Sequence, residues 1–305
     1  MKTKTKLFLT PVLVLLCMGI INLLPEPKFS KESKQLFWID KIHSEELSNI
    51  IIGGDSRVTR GISPKQLTKG FKPSISCQNL GFHSAGYNKD YLNFLSSKLD
   101  TSSSSNPVLI LGVSPHSLTK NAKKNIQFEQ YNQYDNYEKR KLQKFQKLYS
   151  FITPYKVKEI IRPILNIKTT EEVLITYHQD GWEEVYYSKR DTTSSSESYK
   201  KAFSKNTIGD DAIYDFISNL KNIKNRNINI IIFRPPSSYS MEEIENKYSD
   251  FNEVLLKKQL KEIGVNYYNF DKIKFKSSDG SHLQPESAII LSNMIGQIVK
   301  KYLNL

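Results

Sequence analysis

Short apolar runs without polar alternation recur along the chain and predict buried β-strands. They lie at 49–52, 73–82, 106–115, 228–236 and 265–270. A strand with one solvated face alternates polar and apolar residues, whereas a continuous apolar run is typical of a strand covered on both faces. The pattern therefore predicts a mainly parallel five-stranded sheet with helices on both sides.

Amphipathic segments between these runs predict the helices. One covers 89–99, and another covers 241–264 with Gly264 as its C-cap. The last helix begins with Pro285, a residue favoured at the first helical position, and its predicted inner face carries Ala288, Leu291, Ile295 and Ile298. Alternation of strands and helices predicts a three-layer α/β/α domain with right-handed crossovers.

The segment 119–205 is too long for an ordinary connection between neighbouring elements. It contains helical patterns at 139–152 and 155–167, followed by two extended runs around the turn signal Asp180-Gly181. We interpret the segment as a lid-like insertion over the carboxyl ends of the strands. A decorative surface insertion is the alternative.

The N-terminus predicts a membrane anchor. Lysines at positions 2, 4 and 6 precede an uncharged run from Leu7 to Leu24, which is long enough for a spanning helix. Since no A-x-A-like cleavage site follows, we expect an uncleaved anchor with its lysines on the cytoplasmic side. Cys17 lies in this run, but Leu16 before it is not the small residue that a lipoprotein acylation site needs.

These features predict three parts of the chain. Residues 1–24 form the signal-anchor or transmembrane helix, 25–44 form a linker and lead-in, and 45–305 form the main domain with its insertion. The protein is then expected in the cell membrane, crossing it once, with the main domain on the exocytoplasmic side.

Composition narrows the possible partners. The 305 residues carry a formal net charge of +13. A positive charge of this size favours binding to nucleic acid, to an anionic membrane surface or to an anionic polymer. No RGG run, zinc-finger spacing or aromatic RNA-binding signature occurs, so nucleic acid is the weaker interpretation. Cys77 is the single cysteine after the anchor, which excludes an internal disulfide and a cysteine metal cluster. We expect neither metal nor cofactor.

The first candidate chemistry lies in "GGDSR", residues 53–57, directly after the first apolar run. Ligands of open α/β sheets bind beyond the carboxyl ends of the strands. A serine at that position, Ser56, can attack a carbonyl carbon while its own N–H helps to hold the oxyanion. The alternative is that Asp55 or Ser56 only caps a helix.

The second candidate is "DGSHL", residues 279–283, just before the last helix. A carboxylate three residues before an imidazole can orient the ring and stabilise its charged form. His282 can then take the proton of Ser56 as a general base, with Asp279 as its partner. Each motif is weak alone, but together they indicate a serine nucleophile.

"GGDSR" and "DGSHL" resemble the SGNH (GDSL-like) hydrolase superfamily over about residues 45–303. The resemblance implies that Ser56 is the nucleophile, His282 the base and Asp279 its partner. The resemblance also implies an oxyanion hole with the backbone N–H of Ser56, a backbone N–H of the second block at Ser84 or Gly86, and a third block at Ser114. The third block usually carries an asparagine after a glycine, whereas this chain has Gly112-Val-Ser114.

"SPHSLT" (114–119) and "IIIFRPPSS" (230–238) are similar to stretches of the DltD family of membrane-anchored teichoic-acid D-alanyl transfer proteins. Similar anchored proteins act beside membrane-bound O-acyltransferases that modify polysaccharides. The predicted substrate contacts are Arg57 and Arg234 for an anionic group, His116 at a strand end, and Trp182 stacked on a sugar ring. The alternative for Arg57 is a solvated charge in the first helical turn, and the alternative for Arg234 is a surface arginine before a proline turn.

The resulting prediction is a serine esterase or O-acyltransferase that acts on acetyl or similar acyl groups through an acyl-enzyme on Ser56. Its expected partners are an acylated polysaccharide or cell-wall polymer, a multispanning O-acyltransferase and the lipid bilayer, without nucleic acid. A second hypothesis is a catalytically degenerate binding subunit of a polysaccharide acylation or export complex. A basic nucleic-acid or lipid-surface binder is a third and weaker one.

Overall fold

A computed structural model describes residues 13, 31–102, 106–134, 173–270 and 275–303. The predicted anchor (apart from one residue), residues 25–30 of the linker and lead-in, and the helical patterns at 139–152 and 155–167 lie outside this part of the chain. In the described residues, no helix combines the length and the apolar character that crossing a bilayer requires.

The described elements alternate between strands and helices. The strands are β1 Ile50–Gly54, β2 Cys77–Asn79, β3 Val108–Gly112, β4 Val173–Tyr177, β5 Glu183–Tyr187, β6 Asn229–Phe233 and β7 Asn266–Tyr268. The α-helices are α1 Lys31–His43, α2 Ser56–Gly61, α3 Pro64–Leu67, α4 Lys89–Ser97, α5 Ile126–Asn132, α6 Ser196–Ser204, α7 Asp210–Lys224, α8 Tyr239–Tyr248, α9 Glu253–Glu262 and α10 Pro285–Leu303. Two 3₁₀ turns cover His116–Leu118 and Ala122–Lys124.

Five of the strands form one parallel sheet in the order β2-β1-β3-β6-β7. Each overlaps one of the five apolar runs, with β1 extending two residues beyond its run, so the predicted sheet is confirmed. From β1 the chain moves outward to β2 and then returns to place β3 on the other side. Ligands of such sheets bind where the strand order reverses, beyond the carboxyl ends, which places the candidate residues after β1 and β3 at that point.

Alternate residues of each strand enter two separate cores, which makes the fold three-layered. Ile51 and Leu109 pack on the side of α1, α4, α7 and α9, whereas Ile50, Ile52 and Val108 pack on the side of α2, α3 and α10. On α10 the buried face carries Ala288, Leu291, Ile295 and Val299, and the predicted Ile298 is partly buried. Both faces of the sheet are thus covered, as the continuous apolar runs predict.

The single helix predicted over 241–264 is wrong, because the chain forms α8 and α9 with a break between them. Asp250 adopts a left-handed backbone with φ 56°, and the side chain of Asn252 accepts a hydrogen bond from the N–H of Leu255 to begin α9. Such side chains favour helix starts over helix interiors. Gly264 follows α9 with φ 64°, as expected of a residue that ends a helix.

The described part of the insertion contains an antiparallel hairpin, β4–β5, around the predicted Asp180-Gly181 turn. Its tip meets the edge of the main sheet, where the N–H of Asn79 donates to the carbonyl of Asp180 at 2.9 Å. Strand β5 contacts α2 and α10. The hairpin therefore packs beside the helix that begins with Ser56.

The Gly181 position is closed to larger residues. Its φ is 88°, and a Cβ there would lie 2.0 Å from the carbonyl oxygen of Asn79. We expect Gly181→Ala to lower the free energy of unfolding by about 1–3 kcal/mol, measured by urea denaturation. Gly61→Ala is the matched control, since a Cβ there first meets Leu283 at 3.8 Å. Equal stability of the two variants would contradict this account of the hairpin.

Candidate active site

The turn after β1 presents Ser56 at the start of α2. A Cβ at Gly54 or at Gly112 would lie 2.3 Å from Cγ2 of Val58, so these two glycines let α2 pack directly on the ends of β1 and β3. The carboxylate of Asp55 accepts a hydrogen bond from the N–H of Arg57 at 2.9 Å and caps the helix. Asp55 supplies the cap, and the hydroxyl of Ser56 is left to contact another group.

That group is His282, which follows β7 and precedes α10. The Ser56 Oγ lies 2.8 Å from His282 Nε2, and His282 Nδ1 lies 2.7 Å from Asp279 Oδ2. The other oxygen of Asp279 accepts the N–H groups of Ser281 and His282 at 2.9 and 2.8 Å. The three predicted catalytic side chains are therefore hydrogen-bonded in series, in the order that the SGNH resemblance implies.

The charges at this site keep Asp279 ionised and His282 neutral. Burial opposes ionisation of Asp279, but hydrogen bonds and the charge of His282 outweigh it and hold the pKa of the carboxyl well below its usual range. Burial lowers the pKa of His282 below its ordinary value, aided by the charges of Arg60 and Arg57 and opposed by Asp279. With Asp279 ionised, Nδ1 carries the imidazole proton, so Nε2 accepts the hydrogen bond of Ser56. This is the state of a general base.

Ser114, predicted as part of the oxyanion hole, supports the cap at Asp55. Its hydroxyl is completely buried and donates to Asp55 Oδ2 at 2.5 Å. Ser114 Oγ also accepts a hydrogen bond from the N–H of Ser117 at 3.2 Å. This hydroxyl therefore fixes Asp55 and, through Asp55, the turn that carries Ser56, and the oxyanion role of Ser114 stays a prediction.

The remaining predicted oxyanion donors lie in different environments. As the first residue of α2, Ser56 has an N–H with no intrahelical acceptor. The N–H of Gly86 donates to the side chain of Asn125 at 2.8 Å. It could serve as an oxyanion donor only by leaving that bond, and the role stays a prediction. Ser84 is exposed, with a left-handed φ of 55°, and its role stays a prediction.

The two arginines predicted to bind substrate are buried in ion pairs. Arg57 and Arg234 are 2% and 7% exposed, and both contact Glu245, at 2.7 and 3.0 Å respectively. Burial alone would lower the pKa of Arg57, but Glu245 and other nearby groups outweigh it and raise that pKa. The structure thus places both guanidinium groups in buried ion pairs, and their contacts with a substrate stay predictions.

Trp182 lies in the contact between the hairpin and α2. It is 5% exposed, its indole N–H donates to the carbonyl of Arg60 at 2.9 Å, and its ring stacks on His178 with centroids 4.7 Å apart. The side chain holds the hairpin against α2, and its stacking on a sugar ring stays a prediction. His116 lies in the turn after β3, with its ring 6.0 Å from that of Tyr199, and its role stays a prediction.

Sequence reasoning missed several residues around the site. Tyr199 from α6 hydrogen-bonds Ser281 at 2.8 Å, and nothing in its sequence context indicates this contact. Glu245 follows Met241 and Ile244 on the buried stripe of α8. A carboxylate on an apolar stripe needs a buried cation, and that signal was available.

The insertion also braces the Asp279 turn. The N–H of Ser195 donates to the carbonyl of Asp279 at 3.1 Å, and the N–H of Asp191 donates to that of Ser278 at 3.1 Å. Together with Tyr199, these bonds place the segment after the hairpin directly on the loop that carries Asp279. That placement supports the interpretation of the insertion as a cover for the strand ends.

No protein-family model matches this chain, and no curated protein matches it either. Among solved structures, a carbohydrate acetylesterase family member from Sinorhizobium meliloti aligns at 11% identity over 84% of this chain and 99% of its own, with a TM-score of 0.41. Est24, a carbohydrate acetylesterase from the same organism, aligns at 9% identity over 83% and 98%, with a TM-score of 0.41. A protein from Streptococcus pneumonia described as a platelet activating factor aligns at 13% identity over 90% and 92%, with a TM-score of 0.39. These likenesses are too distant to assign an activity, which must come from the site geometry.

The lowered pKa of His282 predicts how the reactivity of Ser56 depends on pH. Neutral His282 is needed to accept the serine proton, so phosphonylation of Ser56 by a fluorophosphonate should slow as pH falls through the histidine pKa. We expect the half-maximal rate at a pH below 6.5, the ordinary histidine value. A midpoint above 6.5, in protein whose circular dichroism shows it folded throughout, would contradict the electrostatic account.

Proposed function

We propose that this chain is an SGNH-type serine enzyme that cleaves or transfers ester-linked acyl groups, with Ser56 as the nucleophile. The observation that carries the proposal is the hydrogen-bonded series from Ser56 to His282 to Asp279, with distances of 2.8 and 2.7 Å. Its position beyond the carboxyl ends of β1 and β7 suits substrate access.

The proposed first step forms an acyl-enzyme. Ser56 Oγ attacks the ester carbonyl carbon as its proton passes to His282 Nε2, and the N–H of Ser56 donates to the developing oxyanion. The tetrahedral intermediate then expels the alcohol, which takes the proton from His282. Asp279 stays ionised and stabilises the imidazolium while it exists.

The second step decides between hydrolysis and transfer. A water molecule or an acceptor hydroxyl gives its proton to His282 and attacks the acyl carbon, and the ester bond to Ser56 breaks as the proton returns to Oγ. Both outcomes use the same intermediate, and only the acceptor differs. The proposal covers both.

We further propose that the substrate is an acetylated or similarly acylated cell-surface polysaccharide or cell-wall polymer, reached by a membrane-anchored enzyme. The uncharged run from Leu7 to Leu24 and its preceding lysines support the anchor, and the net charge of +13 suits an anionic polymer. A multispanning O-acyltransferase remains the proposed membrane partner. Recovery of the full chain in the soluble fraction after cell lysis would defeat the anchor.

The degenerate-subunit hypothesis rests on the third block, Gly112-Val-Ser114, which lacks an asparagine. In the structure this block serves the cap at Asp55, while the series at Ser56 is complete. The complete series favours an active enzyme. Labelling with a fluorophosphonate separates the two hypotheses, because a degenerate site has no activated serine.

The proposal predicts that a fluorophosphonate labels Ser56. Ser56→Ala should abolish labelling, and Asp279→Asn should slow it by about 10²- to 10⁴-fold, because it removes the carboxylate that orients His282. Ser97→Ala, at an exposed serine of α4, is the matched control and should react like the unaltered protein. Mass spectrometry of the labelled peptide identifies the site. Equal labelling of the unaltered protein and Ser56→Ala would defeat the nucleophile assignment.

A further inference from the structure

We propose that Arg57 is a positioning residue that fixes the acid–base loop on the nucleophile turn by its hydrogen bond to Ser281. This inference rests on the proposed function of Ser56 and His282. The side chain of Arg57 is buried, and its Nε donates to Ser281 Oγ at 3.0 Å. Ser281 immediately precedes His282, just as Ser56 immediately precedes Arg57.

The two contacts pair consecutive residues on each segment. Ser56 meets His282 at 2.8 Å, and Arg57 meets Ser281 at 3.0 Å, across more than two hundred residues of sequence. A single hydrogen bond leaves two segments free to pivot about it, whereas two adjacent ones fix their relative rotation. The direction of His282 toward Ser56 is then set by the second contact as well as by Asp279.

Ser281 is itself held on three sides. Its N–H donates to Asp279 Oδ1 at 2.9 Å, and its hydroxyl contacts the phenol of Tyr199 at 2.8 Å as well as Arg57. The guanidinium of Arg57 also lies over the ring of Tyr199, 5.2 Å from its centroid. Ser281 is fully buried, so these protein groups, rather than solvent, determine where it lies.

The other end of Arg57 is anchored in a buried charge network. Its Nη2 lies 2.7 Å from Glu245 Oε1, and the second oxygen of Glu245 accepts from Arg234 at 3.0 Å. Arg234 also pairs with Glu253 of α9 at 2.5 Å. Glu245 is 0% exposed. This network fixes Arg57 against α8 and the end of β6, so Ser281 is bonded to a rigid part of the fold.

Arg57 also acts on His282 through its charge. The charged groups that face His282 are Asp279, which favours its protonation, and Arg57 and Arg60, which oppose it. Loss of the Arg57 charge therefore raises the His282 pKa, whereas loss of the hydrogen bond alone leaves it in place. The two effects of Arg57 can be measured separately.

The test measures the second-order rate of fluorophosphonate labelling against pH for the full chain. Ser281→Ala removes the contact and keeps the Arg57 charge, so we expect labelling about tenfold or more slower, with the acid midpoint unmoved. Arg57→Gln, combined with Glu245→Gln so that the buried network loses one charge of each sign, should slow labelling at least as much and move the midpoint to higher pH. Arg57→Lys keeps the charge and should resemble Ser281→Ala.

A matched control exists in α4, where Arg226 Nη1 donates to Ser96 Oγ at 3.0 Å, in an arginine–serine contact that lies away from Ser56. Ser96→Ala should label like the unaltered protein. Thermal unfolding of each variant separates loss of fold from loss of positioning. Suppose that the unaltered protein is labelled at Ser56 and that the labelling rate of Ser281→Ala is within about twofold of its rate. The positioning role of Arg57 is then overturned, and Ser56 remains the nucleophile. If the unaltered protein is not labelled, both fall.

Discussion

The hydrogen bond between Ser56 and His282 is the interaction on which the proposed chemistry depends. It joins segments 226 residues apart in sequence, so the fold must bring the end of β1 and the loop before α10 to one place. The parallel sheet does this because the carboxyl ends of its strands share an edge. Gly54, Gly112 and the Asp55 cap then fix the direction in which Ser56 leaves β1.

Buried charged side chains surround and position the contact between Ser56 and His282. Arg57, Glu245 and Arg234 form a nearly solvent-free series behind Ser56, and such a series is costly to break but adds little to net stability over a well-packed apolar alternative. Its value here is geometric, because Arg57 bonds Ser281 beside His282. The insertion contributes to the same end, since Tyr199 and Ser195 hold the loop that carries Asp279.

The sequence allowed prediction of features that depend on local pattern. Continuous apolar runs indicated the five parallel strands, and the spacing of Asp279 and His282 indicated a hydrogen-bonded pair. Contacts that tertiary packing decides could not be predicted from the sequence. Only the packing of α8 reveals that Glu245 lies between Arg57 and Arg234. The burial of Trp182 likewise follows from the docking of the hairpin on α2. Asp250 and Asn252 are residue types that favour a turn and a helix start, so they could have indicated the break before α9. The apolar periodicity on both sides instead favoured one continuous helix.

The most direct test of the central claim is to trap the acyl-enzyme. The full chain is mixed with p-nitrophenyl acetate, quenched in acid during the first turnover, digested and examined by peptide mass spectrometry. The account predicts an acetyl group on the peptide that contains Ser56, formed together with a burst of p-nitrophenol and absent when the protein is unfolded beforehand. Two results would contradict the account, each with p-nitrophenol released at a catalysed rate. In one the acetyl group is on another residue, and in the other no acetylated peptide is found in samples quenched during the first turnover.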